Sequence, residues 1–296
     1  MPVVKDSKDH GRSHRSGRPS NPGLSPHEVE RFRGTIYRHY QAHKREMPWR
    51  QTRDPYHILV SEIMLQQTQV ERVLGKYDQF LSQFPNFPAL DRAPWPEVLA
   101  VWQGLGYNRR ALALKRLAQV VMAQWGGLLP DNEEDLRALP GIGPATAGAI
   151  LAFAFEQPVA FIETNIRRVF LHFFFSNQNG IKDREILPLV QETLDRERVR
   201  EWYYALMDYG ADLKRLGPNP NRRSAHYARQ SPFNGSNREV RSLILKTLLT
   251  APADSLEKLA RNIGKPKTRT RTALEQLLAE GFVVREGKQL RLAPRV

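Results

Sequence analysis

The chain has 296 residues, 41% of them hydrophobic, which is enough for two or three compact units with real cores. Its 45 Lys and Arg against 31 Asp and Glu give a formal charge of +14, a surplus that favours a polyanionic partner because phosphate contacts release counterions. Cysteine is absent, which removes disulfides, thiolate zinc sites and cysteine-ligated iron–sulfur clusters; no run of about 18 apolar residues occurs, so no membrane span is expected.

In chain order, residues 1–25 are polar and basic and read as a disordered arm rather than a secretory signal. Ser25-Pro26-His27-Glu28 is a capping box with proline at the first helical position and predicts a helix over 26–44. Residues 55–84 keep apolar side chains at helical spacing, among them Ile58, Leu59, Ile63, Leu65, Val70 and Val73, and read as one helical run. Further helices are expected over 96–101, 109–125, 133–139, 144–155, 165–175, 184–195 and 198–213. Strand-like alternation is nearly absent before residue 280, so the body is all-α. The aromatic run His172-Phe173-Phe174-Phe175 covers several helix faces, and most of it reads as core.

Residues 214–237 mix proline, glycine and basic side chains and read as a basic connector. From 238 the pattern becomes that of a small autonomous unit. Helices over 238–250, 255–262 and 266–280 are followed by a hairpin of 282–285 with 289–292. That is the winged-helix plan, and it places Lys267 and Arg269 at the start of the recognition helix as DNA contacts. Docking to another protein is the competing use of this unit. Residues 236–296 hold 13 Lys and Arg against 6 acids.

The most informative short segment is Leu139-Pro140-Gly141-Ile142-Gly143-Pro144. Gly141 and Gly143 flank an apolar residue in a tight hairpin, and Pro144 opens a helix whose amide end faces the same way. Such a nest beside a helix N-terminus holds a phosphate without reading sequence. A plain turn is the simpler alternative.

Longer runs carry more. Pro48-Trp49-Arg50, Asp54-Pro55-Tyr56, Ser61-Glu62-Ile63-Met64-Leu65-Gln66-Gln67-Thr68-Gln69-Val70, Trp102-Gln103-Gly104-Leu105-Gly106-Tyr107 and Ile162-Glu163-Thr164-Asn165-Ile166-Arg167-Arg168-Val169 stand in the order and spacing of one family. Together with the hairpin, over 28–213, they resemble the adenine DNA glycosylases of the helix-hairpin-helix superfamily. The resemblance implies a bilobed helical fold, with a six-helix lobe over about 54–160 and a second lobe from 26–53 and 161–213. Double-stranded DNA would enter between the lobes and a base would flip into the cleft. Glu62 takes the general-acid position. Gln66 and Gln67 fall at the DNA face, with Gln67 at the residue that inserts into the base stack. Tyr107 matches the aromatic wedge beside the flipped base, core packing being its other reading. Glu163 stands where the family carries an aspartate facing the sugar cation; with one more methylene, either the pocket is set back or the geometry differs. Asn165 matches an asparagine that bonds the sugar–phosphate, and Arg167 and Arg168 would lie near the DNA backbone.

The departures bear on the substrate. The family's four cluster cysteines are missing, so no iron–sulfur cluster is expected, and Lys214, Arg215, Arg222, Arg223 and Arg229 are the groups that could do such a loop's phosphate binding. The C-terminal domain that senses oxidised guanine is replaced by the winged helix. Adenine opposite 8-oxoguanine or guanine is the first expectation. A mismatch thymine or uracil glycosylase, or a non-catalytic winged-helix DNA-binding protein, are the alternatives. Bifunctional relatives carry a lysine just after the hairpin; Ala145 holds that position, implying a monofunctional enzyme. No catalytic metal is expected, although the hairpin carbonyls could hold a monovalent cation. A monomer bound to DNA and not to membrane completes the expectation, placed in the cytoplasm at the nucleoid if the source is a bacterium or archaeon.

Overall fold

A computed structural model describes residues 23–294, so nearly all of the arm read at 1–25 lies outside the described residues. Helix α1 (Pro26–His43) opens on the expected capping box. Ser25 Oγ accepts from Glu28 N at 3.3 Å while the Glu28 carboxylate accepts from Ser25 N at 2.9 Å. A single 3₁₀ turn at Pro48–Arg50 leads to α2 (Pro55–Leu65), capped by Asp54. Then follow α3 (Val70–Gln83), α4 (Phe87–Arg92), α5 (Trp95–Trp102), α6 (Arg109–Trp125), α7 (Glu133–Ala138) and α8 (Pro144–Ala154). Helices α9 (Thr164–Phe174), α10 (Asp183–Thr193) and α11 (Val199–Leu216) complete the helical body that the sequence predicts. Two details differ. The single run expected over 55–84 is broken at Gln66–Gln69, and α4, capped by Asn86, was not foreseen.

The apolar side chains gather in two cores. One contains Trp49, Leu59, Ile63, Val73, Phe80, Trp102 and Leu114; the other contains Phe32, Ile36, Phe161, Phe170, Trp202 and Tyr203. Helices α2 and α8 serve both. Ile58 faces the second core and Leu59 the first; Ile150 faces the first and Phe153 the second. A helix that is apolar over most of its girth has to be buried on most sides, and these two are. On α9, Phe173 and Phe174 both meet the ring of Phe32 at 5.1 Å, clasping α9 to α1; with Phe175 buried and His172 exposed, most of the aromatic run packs as core.

The connector follows a fixed course. A 3₁₀ turn at Pro220–Arg223 lies against α9, where Asn221 Nδ2 donates to Thr164 O at 2.9 Å and Arg223 Nη2 to Leu171 O at 2.9 Å. Beyond it come α12 (Asn237–Thr250), α13 (Leu256–Ile263), α14 (Lys267–Ala279) and two antiparallel strands, β1 (Val283–Glu286) and β2 (Gln289–Leu292). Glu286 pairs with Gln289 around the turn Gly287-Lys288, and β1 begins one residue later than predicted. This unit is not the autonomous one the sequence suggests. Its apolar residues run on into the first core: Phe282 stacks edge-on against the fully buried Trp95 at 5.5 Å, and Trp95 N donates to Pro294 O at 3.3 Å. Glu280 is gripped by Arg109 of α6 at 2.6 Å and by Arg241 of α12 at 2.7 Å.

Candidate active site

Glu62 lies one turn before the end of α2, at the seam between the two cores. It is only partly buried, yet burial pushes its carboxyl up to about 8; the charge of Glu163 pushes the same way and Arg50 opposes both. Arg50 is itself fixed. Its fork donates from Nη1 and Nη2 to the two oxygens of Asp208, each at 2.8 Å, and its guanidinium lies 4.5 Å from the Tyr204 ring centroid. Asp208 is 1% exposed and also receives the Arg45 backbone N–H at 3.0 Å. Arg50 belongs to the recognised Pro48-Trp49-Arg50 run, but nothing in the sequence marked Asp208 as its partner or showed that its positive charge acts on Glu62.

Glu163 is the N-cap of α9. Its Oε1 accepts from Asn165 N at 2.6 Å and Ile166 N at 2.7 Å, and Asn165 Nδ2 donates to Oε2 at 3.3 Å. The carboxylate thus curls back onto its own helix terminus, where the amides and the macrodipole favour negative charge. Burial raises its pKa; the two amides, Arg168 and Arg167 hold it down. Both carboxyls are raised by burial; at Glu163 two helix amides and two arginines oppose the rise, while at Glu62 only Arg50 does.

The remaining site residues have more internal partners than their motif roles suggest. Asn165 Oδ1 accepts from Arg168 Nη1 at 2.6 Å, and the same nitrogen donates to Gly210 O at 2.5 Å. A Cβ on Gly210 would lie 2.4 Å from Asn165 O, so only glycine lets α11 approach the start of α9 this closely. Arg168 is buried at 3% exposure, which corrects the expectation that it lies near DNA: it is scaffold. Arg167 forks onto Asp183 at 2.7 Å from both nitrogens.

The break after α2 is the main feature the sequence hid. Gln67 has φ +54 and is exposed, and Tyr107 has φ +47. One side chain braces both strained positions. Arg110 Nη1 donates to Ile63 O, Met64 O and Gln66 O at 2.9, 2.8 and 2.5 Å, while Nη2 reaches Thr68 Oγ1 at 2.8 Å, Gly106 O at 3.2 Å and Leu105 O at 3.4 Å. The hairpin lies alongside. Gly141 has φ +83, and Gln66 Nε2 donates to Thr146 Oγ1 at 3.1 Å and, at 3.5 Å, to Gly141 O. Gly143 has ordinary backbone angles and caps α8. Ala145 stands on the first turn of α8. Lys115 is turned away, its ammonium on Leu90 O at 2.9 Å.

In the C-terminal unit, Lys267 pairs with Glu257 and Arg269 Nη2 donates to Gly235 O at 2.5 Å. Arg261, Arg271, Arg285 and Lys288 are exposed. Two histidines, His39 and His43, do stand four apart on α1 with rings 4.9 Å apart, but His39 Nε2 contacts Asp212 at 3.1 Å. Among the described residues no three His, Cys, Asp or Glu side chains gather as a metal would require. Nor is any described helix long and apolar enough to cross a membrane.

Comparison with known proteins agrees with this geometry. Residues 60–194 match the HhH-GPD superfamily base excision DNA repair protein family. An adenine DNA glycosylase of Mycobacterium tuberculosis (strain ATCC 25618 / H37Rv) is 34% identical over 268 residues, covering 83% of this chain and 88% of that protein. The chain belongs to the HhH-GPD superfamily of base excision DNA repair proteins. This HhH-GPD chain is also 35% identical over 188 residues to the adenine DNA glycosylase of Buchnera aphidicola subsp. Baizongia pistaciae (strain Bp), covering 62% of the chain and 52% of that relative, about half its length. Among solved structures, a thermostable thymine-DNA glycosylase superposes with a TM-score of 0.58 at 32% identity, over 62% of this chain and 86% of the other. The family and bilobed helical fold implied by the sequence motifs are therefore borne out.

Proposed function

We propose that this chain is a monofunctional DNA N-glycosylase that flips a base out of duplex DNA and hydrolyses its N-glycosidic bond, with adenine opposite 8-oxoguanine or guanine as its first substrate. The observation that carries the reading is the carboxyl pair at the seam: Glu62 with its proton held to about pH 8, coupled to a Glu163 whose charge is fixed by a helix terminus. Glu62 protonates the departing purine, so that the base leaves neutral when the C1′–N bond breaks. Glu163 faces the sugar cation this creates. Water then adds at C1′, and its proton goes to the carboxylate that Glu62 has become.

In this reading Gln67 and Tyr107 occupy the base stack with Gln66 at the DNA face beside them, and Gly141 and Gly143 present hairpin amides to a phosphate. Asn165 and Arg167 approach the sugar–phosphate by exchanging their present partners. The C-terminal helices and hairpin act as a winged helix on the flanking duplex, where Lys267 and Arg269 join the exposed Arg271. A monovalent cation at the hairpin would compete with the Gln66 amide for Gly141 O, and no step is assigned to it. Single-lesion duplexes followed by alkali test the reading. Nicking at adenine opposite 8-oxoguanine or guanine is the expected result. Release of thymine or uracil alone would replace it with the mismatch alternative, which the 32% identity to a thymine-DNA glycosylase keeps specific. Tight binding with no release on any duplex would leave a non-catalytic DNA-binding protein.

Two further results are expected. Duplex affinity falls steeply with salt, by about 10³-fold between 50 and 200 mM, because a surface with this charge neutralises several phosphates; a flat response would remove the nucleic-acid reading. Borohydride captures no covalent protein–DNA adduct during turnover, since Ala145 has no amine to form a Schiff base and Lys115 is engaged elsewhere. Efficient trapping would show that another lysine reaches the sugar.

A further inference from the structure

We propose that Arg238 and Gln230 set the position of Tyr107, so that the connector and C-terminal unit take part in selecting the base as well as in holding DNA. The loop that carries Tyr107 is strained. Gly104 and Gly106 have φ +96 and +72, and Tyr107 follows at +47, a left-handed conformation that a non-glycine residue keeps only when its surroundings hold it there. Arg110 holds the backbone of this loop from one side through Leu105 O and Gly106 O. The tip of the ring is held from the other side. Arg238 Nη1 donates to the Tyr107 hydroxyl at 2.6 Å, and Gln230 Nε2 donates to the same oxygen. The guanidinium of Arg238 lies 5.1 Å from the ring centroid and that of Arg110 5.4 Å.

These partners are not loose surface chains. Arg238 stands in the first turn of α12, whose apolar residues belong to the first core, and its Nη2 donates to Ser231 O at 2.6 Å. Gln230 belongs to the connector, which is pinned at its other end to the start of α9 by Asn221 on Thr164 O. The connector therefore runs from the helix that carries Glu163 and Asn165 to the loop that carries Tyr107, joining the two sides of the site. A hydroxyl that accepts from a guanidinium and an amide fixes the ring before DNA arrives, and a wedge already fixed loses less freedom on entering the stack.

The inference rests on the reading of Tyr107 as the wedge, and the variants separate the two. Tyr107→Ala removes the ring and tests that reading. Tyr107→Phe keeps the ring and removes only the oxygen through which Arg238 and Gln230 act. The signal is the fluorescence of 2-aminopurine at the target position, measured with affinity for an undamaged duplex of the same length. Tyr107→Phe and Arg238→Met should each lower the flipped fraction about tenfold, leave undamaged-duplex affinity within about twofold, and show no further loss when combined. Gln230→Ala should give a smaller change in the same direction, and Arg238→Lys should restore part of the signal. If Tyr107→Ala lowers flipping while Tyr107→Phe does not, the wedge stands and the proposed tie is overturned. Equal losses by Arg238→Met on lesion and undamaged duplexes would make Arg238 a phosphate contact and overturn it too. No effect of Tyr107→Ala removes both readings.

Discussion

Glu62→Gln lowers the single-turnover rate of base release by about 10²–10⁴-fold while lesion-duplex affinity stays nearly unchanged, because the substitution keeps shape and removes the transferable proton. The pH dependence identifies the same group. An acid whose pKa is pushed up to about 8 is protonated at neutral pH, so kcat/KM should be lost as pH rises through about 8. The acidic limb should report protonation of Glu163, whose charge must face the sugar cation, and Glu163→Gln should cost about 10²-fold or more. Rising pH costs stability as well as activity. A folded carboxyl held above its ordinary value near 4.5 means that the native state binds more protons than the unfolded one between about 4.5 and 8. Stability is then lost across that window as pH rises, since an ionised Glu62 sits beside Glu163 at the seam. Glu62→Gln removes this penalty, so its Tm should exceed that of the unaltered protein at pH 9 and nearly match it at pH 4. A variant that loses activity with no alkaline gain in Tm would show that Glu62 is not held in its protonated state by the fold.

Much of this site could be read from the chain because its carriers are local. The helix over Arg109–Trp125 was predicted at its observed bounds, since apolar spacing runs unbroken up to Gly126, which takes the left-handed cap. The capping box at Ser25 and the hairpin at Gly141 likewise hold their signals within a few residues. The break at Gln66–Gln69 does not. Three glutamines and a threonine contain neither glycine nor proline, and the bonds that hold the turn come from Arg110, more than forty residues away. Helix α4 has only six residues, too few for a periodicity, and its signals are Asn86 as cap and Pro88 in the first turn. The winged-helix pattern after residue 236 reads as autonomous because each element has its own caps and spacing. That Phe282 lies on Trp95 is a long-range fact with no local mark. It changes which experiment is informative: deleting 236–296 would expose Trp95 and damage the first core, so point substitutions such as Arg238→Met have to stand in for truncation.

Arg110→Met should be among the most damaging single substitutions outside the carboxyl pair. The guanidinium closes the C-terminal carbonyls of α2, the turn that carries Gln67 and the loop that carries Tyr107, so three segments depend on one planar fork. Burial lowers its pKa only to about 10, so it is charged at neutral pH and its bonds are charge-assisted. Methionine fills similar volume and supplies no donor. The carbonyls at the end of α2 then turn to whatever water can reach them, and two left-handed residues lose their brace. A loss on the order of 3 kcal/mol is expected from unsatisfied acceptors, which for a chain of this size lowers Tm by about 10 °C. Function should fall further than stability explains. Measured at a temperature where both proteins remain folded, lesion cleavage should drop about 10²-fold while binding to undamaged duplex changes far less, because phosphate contacts do not pass through Arg110 and the two intercalating positions do. Arg110→Lys should rescue poorly: an ammonium has three donors on a flexible stem and cannot span Ile63 O, Gln66 O, Thr68 Oγ1 and Gly106 O at once. If Arg110→Met keeps its Tm within a degree or two and cleaves normally, the turns at Gln67 and Tyr107 are held by their own sequence, and the coupling through Arg110 is wrong.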